Sequence, residues 1–151
     1  MSNGLRREAR GREVTMPNLL CGGKFLLHSG QQSNFKIDCD ALTDGDWETV
    51  ARLIGTHLAF DKVVGVPQGG LKLAAALQPY CRLADTHRKE ASLTLIVDDV
   101  CTTGASLEHQ KELVGGHCVG AVLFARGKAP SWVWPVFQLQ GPYQPYQEKE
   151  R

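Results

Sequence analysis

No apolar run in the 151 residues approaches the length of a membrane span. The basic opening stretch, with Arg6, Arg7, Arg10 and Arg12, also lacks the apolar core of a secretory signal. These absences predict a cytoplasmic protein without a membrane partner, and the arginines read as a solvated first turn or frayed end, not as an arm for nucleic acid. Charge of one sign is missing too. A formal net charge of +1 provides no overall field to attract nucleic acid, so any anion must be bound by a local feature. The five cysteines, Cys21, Cys39, Cys81, Cys101 and Cys118, form neither an even disulfide set nor a CxxC pair, which implies reduced thiols. His87, His109 and His117 lack metal-ligand spacing, so no resident metal is expected. There is no repeat of solenoid type.

What is present suffices for one packed domain. With 42% hydrophobic residues the chain can bury a core, and residues 1–143 read as a single domain followed by a mobile polar tail over 144–151. Two short extended runs around His28-Ser29-Gly30-Gln31-Gln32-Ser33 predict a hairpin within residues 19–40. Asp46 can cap a helix whose apolar positions Trp47, Val50, Leu53, Ile54 and Leu58 recur at three- and four-residue steps.

A strand–loop–helix pattern then occurs twice. Lys62 to Val66 runs into Pro67-Gln68-Gly69-Gly70 and an Ala/Leu-rich helix. Leu93 to Val97 runs into a small-residue loop and a helix through Leu107, Lys111 and Leu113, stopped by Gly115-Gly116. His117 to Phe124 is a further apolar strand. Apolar strands alternating with helices predict an α/β fold: a central, mostly parallel sheet flanked by helices, with ligands at the carboxyl ends of its strands. Beyond Gly127, Pro130, Pro135, Pro142 and Pro145 with Trp132, Trp134 and Tyr143 predict an irregular cap in which the tryptophans pack.

The chemistry concentrates after the second strand. Asp98 and Asp99 are adjacent carboxylates at its end, and burying both unpaired would cost on the order of several kcal/mol, so they are poor packing residues. Strand neighbours face opposite sides, so one carboxylate can meet a ligand while the other takes backbone hydrogen bonds. Loop and helix capping is the plainer alternative. Cys101-Thr102-Thr103-Gly104-Ala105-Ser106 lets the backbone wrap closely in front of a helix N-terminus, which is what a phosphate cradle needs. Cys101 at that position could have a lowered thiol pKa, but close wrapping explains it without redox chemistry.

Four apolar residues, two acids and a Thr/Gly-rich loop resemble the signature with which type I phosphoribosyltransferases bind phosphoribosyl pyrophosphate (PRPP). Within that superfamily the similarity is greatest to orotate phosphoribosyltransferase. The hairpin segment Phe25 to Asp38 is similar to that family's hood, Gly65-Val66-Pro67-Gln68-Gly69-Gly70 to its pyrophosphate loop, and Arg88-Lys89-Glu90 to its Arg-Lys-Glu run. The resemblance implies that Asp98 and Asp99 hold the ribose hydroxyls and that residues 101–106 hold the 5′-phosphate. It also implies that amides of Gln68, Gly69 and Gly70 meet the pyrophosphate, helped by Arg88 and Lys89, which in that family often reach a neighbouring subunit's site. Phe35, Lys36 and Arg126 would meet the base. Mg²⁺ would arrive with PRPP, and a homodimer is implied.

Two departures stand out. His28 replaces a lysine common in that family, and only Ala91 and Ser92 separate Glu90 from the strand at Leu93, where the family carries a long mobile lid. The sequence thus supports a PRPP-dependent transferase of orotate type or, alternatively, a catalytically weak or silent PRPP-binding regulatory module. A generic phosphate-binding domain is disfavoured because the acid pair adds ribose recognition.

Overall fold

The computed structural model describes residues 18–27 and 30–139, together with the backbone of Leu5–Arg7 and Glu13–Thr15. His28, Pro142, Tyr143, Pro145 and the expected tail at 144–151 lie outside the described residues. The chain divides into two compact units, Met1–Thr43 and Asp44–Arg151.

In the first unit, Leu5–Arg7 (β1) and Glu13–Thr15 (β2) pair antiparallel. Arg6 and Arg7 therefore stand in a strand, not in a helical turn or frayed end. Leu20–Leu26 (β3) and Gln32–Ile37 (β4) form the expected hairpin, with a register shift between Gly22 and Phe25. Burial alternates along β4: Ser33, Phe35 and Ile37 are sheltered, while Gln32, Asn34 and Lys36 are exposed.

The second unit opens with Asp44–His57 (α1), which buries Trp47, Val50, Ala51 and Ile54. It starts ahead of Asp46, which joins Asp44 in the first turn, where carboxylates complement the helix dipole. Leu53 is 47% exposed, so the apolar stripe is narrower than its spacing suggests. Lys62–Gly65 (β5), Leu71–Leu77 (α2), Leu93–Cys101 (β6), Ala105–Val114 (α3) and His117–Ala125 (β7) follow, matching the repeated pattern in the sequence. Gly115 (φ 66°) and Gly116 (φ 69°) end α3 in the left-handed region that glycine tolerates.

Val133–Gln138 (β8) was expected to be part of an irregular cap, but it forms a strand. It pairs parallel with β7, placing Pro135 beside Val122. Proline cannot donate to a ladder, which confines it to an edge strand, and β8 is at the edge. The tryptophans pack as expected. Trp132 lies against the core and Trp134 stacks on His57 with ring centroids 3.8 Å apart.

The four-stranded sheet runs β5-β6-β7-β8, all parallel. Leu95, Ile96 and Val97 of β6 are fully buried, and because neighbours face opposite sides, both faces of the strand are covered. Each such side chain contributes about 1.5–3 kcal/mol of burial. Ile96 packs with Leu107 of α3, Val122 of β7 and Val133 of β8, fixing α3 to the sheet. Among the described residues no helix is long and apolar enough to cross a membrane.

Candidate functional site

The carboxyl ends of β5, β6 and β7 share one rim. Past β5 the chain turns tightly: Val66 N–H donates to Val97 O (2.8 Å), and Gly70 N–H donates back to Val66 O (2.8 Å). Glycine is obligatory at position 70, where a Cβ would meet the backbone at Val97 O and Val66 N, while one on Gly69 would press on the Asp99 carboxylate. The expected pyrophosphate loop therefore lies directly on the acid pair. Gly70 differs from its expected role, since its N–H is spent inside the turn. Gln68 and Gly69 are exposed on the loop.

The two acids differ in burial, but they do not separate as strand alternation predicts: the Asp99 carboxylate stays within interaction distance of the Asp98 carboxyl. Asp98 is 9% exposed and accepts the Asp99 N–H at 2.8 Å. Burial, followed by the neighbouring Asp99 carboxylate, pushes the Asp98 carboxyl up to about 8. Asp99 is half-buried, accepts Val100 N–H at 2.7 Å and faces Gly69. Asp99 is thus the carboxylate next to the Gly69 loop, and Asp98 the more deeply buried, protonatable one.

Residues 102–104 form the bend that enters α3. Gly104 has φ 86°, and Ala105 N–H donates to Thr103 Oγ1 at 3.3 Å. Thr102 is half-buried, and Thr103, Ala105 and Ser106 are exposed at the helix N-terminus, whose first N–H groups suit an anion. A Cβ on Gly104 would lie 2.6 Å from Pro130 Cγ. A side chain there would therefore disturb the fold as well as the loop's surface. Cys101 is a structural anchor. Its thiol is 3% exposed and is pushed up by burial, then by Asp98, and its carbonyl accepts Arg126 N–H at 2.8 Å. Arg126, directly after β7, therefore reaches the same rim; burial lowers the pKa of its guanidinium.

The remaining predicted residues are not brought to this rim within the second unit. Arg88 pairs with Asp61, as does Arg82 at 3.0 Å, and Asp61 also accepts Leu93 N–H at 2.8 Å. Leu93 opens β6, about 17 Å along the strand from Asp98 at roughly 3.3 Å per residue. Arg88 thus sits at the amino-terminal rim, beside a cavity of about 360 Å³ lined by Asp61, Arg82, Asp85 and Arg88. Lys89 is exposed on the same connection. Phe35 and Lys36 belong to the first unit and face opposite sides of β4, so a ligand on one face meets only one of them.

The Asp61 hub has no local signature, since its partners are 21, 27 and 32 residues away in sequence. Among the described residues no three His, Cys, Asp or Glu side chains cluster as metal ligands.

No protein-family model matches the chain, and no curated relative does. Solved structures do match. Orotate phosphoribosyltransferase from Aeropyrum pernix is 24% identical with a TM-score of 0.61, over 80% of this chain and 88% of that one. UMP synthase from Leishmania donovani is 26% identical with a TM-score of 0.58, over 72% of this chain and 29% of that one. Orotate phosphoribosyltransferase from Mycobacterium tuberculosis, solved with Fe(III) dicitrate, is 20% identical with a TM-score of 0.55, over 80% and 89%. With two glycine-lined loops at the carboxyl rim of a parallel sheet, and with these neighbours, the chain has the type I phosphoribosyltransferase fold.

Proposed function

We propose that this chain transfers ribose 5-phosphate from PRPP to orotate or a related base, releasing pyrophosphate. The observation that carries the reading is the packing of Gly69 against Asp99 at the rim where the 102–106 loop enters α3. A ligand bearing a phosphate, a ribose and a diphosphate needs those three features side by side. The amides of residues 103–106 hold the 5′-phosphate, Asp98 and Asp99 take the ribose hydroxyls, and Gln68 and Gly69 face the diphosphate. Arg126 stands on the same rim for the base's carboxylate.

Transfer breaks the bond from the anomeric carbon to pyrophosphate as a base nitrogen forms the new one. The sugar becomes cation-like on the way, and the Asp99 carboxylate beside it stabilises that charge. Two acids without a third ligand do not make a resident metal cage, so a Mg²⁺ ion would be held chiefly by PRPP's own oxygens. Bound there, it neutralises charge on the leaving group. A cytoplasmic location and a homodimer that brings Arg88 and Lys89 to a neighbouring site complete the proposal.

A second reading, a PRPP-binding regulatory module with little turnover, is favoured by the engagement of Arg88 with Asp61 and by the two-residue link before β6. Pyrophosphate release from PRPP and Mg²⁺, measured over a panel of pyrimidine and purine bases, separates the two. Release with orotate supports the transferase, and tight PRPP binding without release supports the module. Absence of PRPP binding would refute both.

A further inference from the structure

The link from β7 to β8 has no part in the assignments above after Arg126, yet it touches the phosphate loop twice. An added Cβ on Gly127 would lie 3.0 Å from Thr102 O, and Pro130 covers Gly104, its Cγ and Cδ lying 2.6 and 2.8 Å from where a Cβ would project. The link is itself held from two sides. Gln138 donates its side-chain amide to Gly127 O at 3.1 Å and to Ala125 O at 3.3 Å. Trp132 donates its indole N–H to Glu108 Oε1 on α3 at 2.8 Å, and the Lys111 ammonium lies 4.7 Å from the centroid of the same ring.

A loop of small residues gains close approach at the expense of order. Fixing each backbone residue costs about 1–2 kcal/mol, and that cost weakens ligand binding unless the folded protein has already met it. We propose that residues 127–132 are a brace that pre-orders the phosphate loop, with Trp132 and Gln138 as positioning residues acting through Pro130 and Gly127. The inference rests on the reading of residues 102–106 as the 5′-phosphate site. Neither residue is placed against the ligand.

Trp132→Phe keeps the ring but removes the N–H to Glu108. Hydrogen exchange of residues 101–107 in the ligand-free chain should quicken. Affinity for uridine 5′-monophosphate should fall about five-fold, the size of one lost hydrogen bond. Affinity for inorganic pyrophosphate, which does not use this loop, should stay at the parental value. Glu108→Gln, which keeps an acceptor oxygen, should leave all three near parental. Unchanged exchange in the folded variant overturns the brace, as does an equal fall in both affinities. If Trp132→Phe does not fold, Gln138→Ala puts the same question through Gly127. A parent that binds no nucleotide would remove the 5′-phosphate reading, and the exchange measurement alone would then decide the brace.

Discussion

Asp98 is a buried carboxyl whose nearest charged neighbour is another carboxylate, and it responds by holding its proton up to about pH 8. In the unfolded chain the same group ionises near its ordinary value of 3.8. A raised folded value means that its contribution to stability is complete below 3.8 and is lost progressively as pH rises to about 8. Asp98→Asn removes this dependence while keeping an oxygen to accept the Asp99 N–H. We predict that the variant melts like the parent near pH 4, gains on it as pH rises, and holds a constant advantage above about pH 8, while its PRPP affinity falls. Parallel melting curves across that range would show that Asp98 carries no such proton. The acid pair at the end of an apolar strand was legible in the sequence, because that pattern is local. How deeply Asp98 is buried was not, because that depends on what covers β6.

At the scale of elements, the paired strand–loop–helix units were legible in β-branched runs and the glycines that end them. β8 was hidden by Pro135, whose prohibition holds for central strands and lapses at an edge. The start of β6 was similarly opaque. Asp61 joins it to Arg82 and Arg88, and its carboxyl is held below the ordinary 3.8, chiefly by the Leu93 N–H and then by the two arginines, against an opposing effect of burial. A depressed folded value means that the stability is present above 3.8 and is lost as pH falls through the folded pKa. Asp61→Asn should therefore lower the melting temperature at pH 7, with the difference from the parent shrinking as pH drops below 3.8. A difference that persists unchanged in that acid range would assign the effect to packing instead.

For the whole molecule the decisive feature is a short connection. Ala91 and Ser92 separate Glu90 from β6, and two residues reach only about 7 Å even when extended. No lid from this position can cover the opposite rim, so water exclusion and added positive charge are missing from that source. On the transferase reading, orotate turnover should fall well below the ordinary enzyme rate of about 10 per second, with PRPP binding retained. Steady-state pyrophosphate release at that ordinary rate would show that the lid is dispensable.

The sequence by itself determined the α/β class, the two glycine-ended strands and the Asp98 to Ser106 segment, because each is written in neighbouring residues through periodicity and loop chemistry. Only the tertiary structure decided which of these meet. It set Gly69 on Asp99, Pro130 on Gly104 and Arg88 on Asp61 at the far rim. Such pairings depend on sheet order and on contacts between residues distant in the chain, which local pattern does not encode.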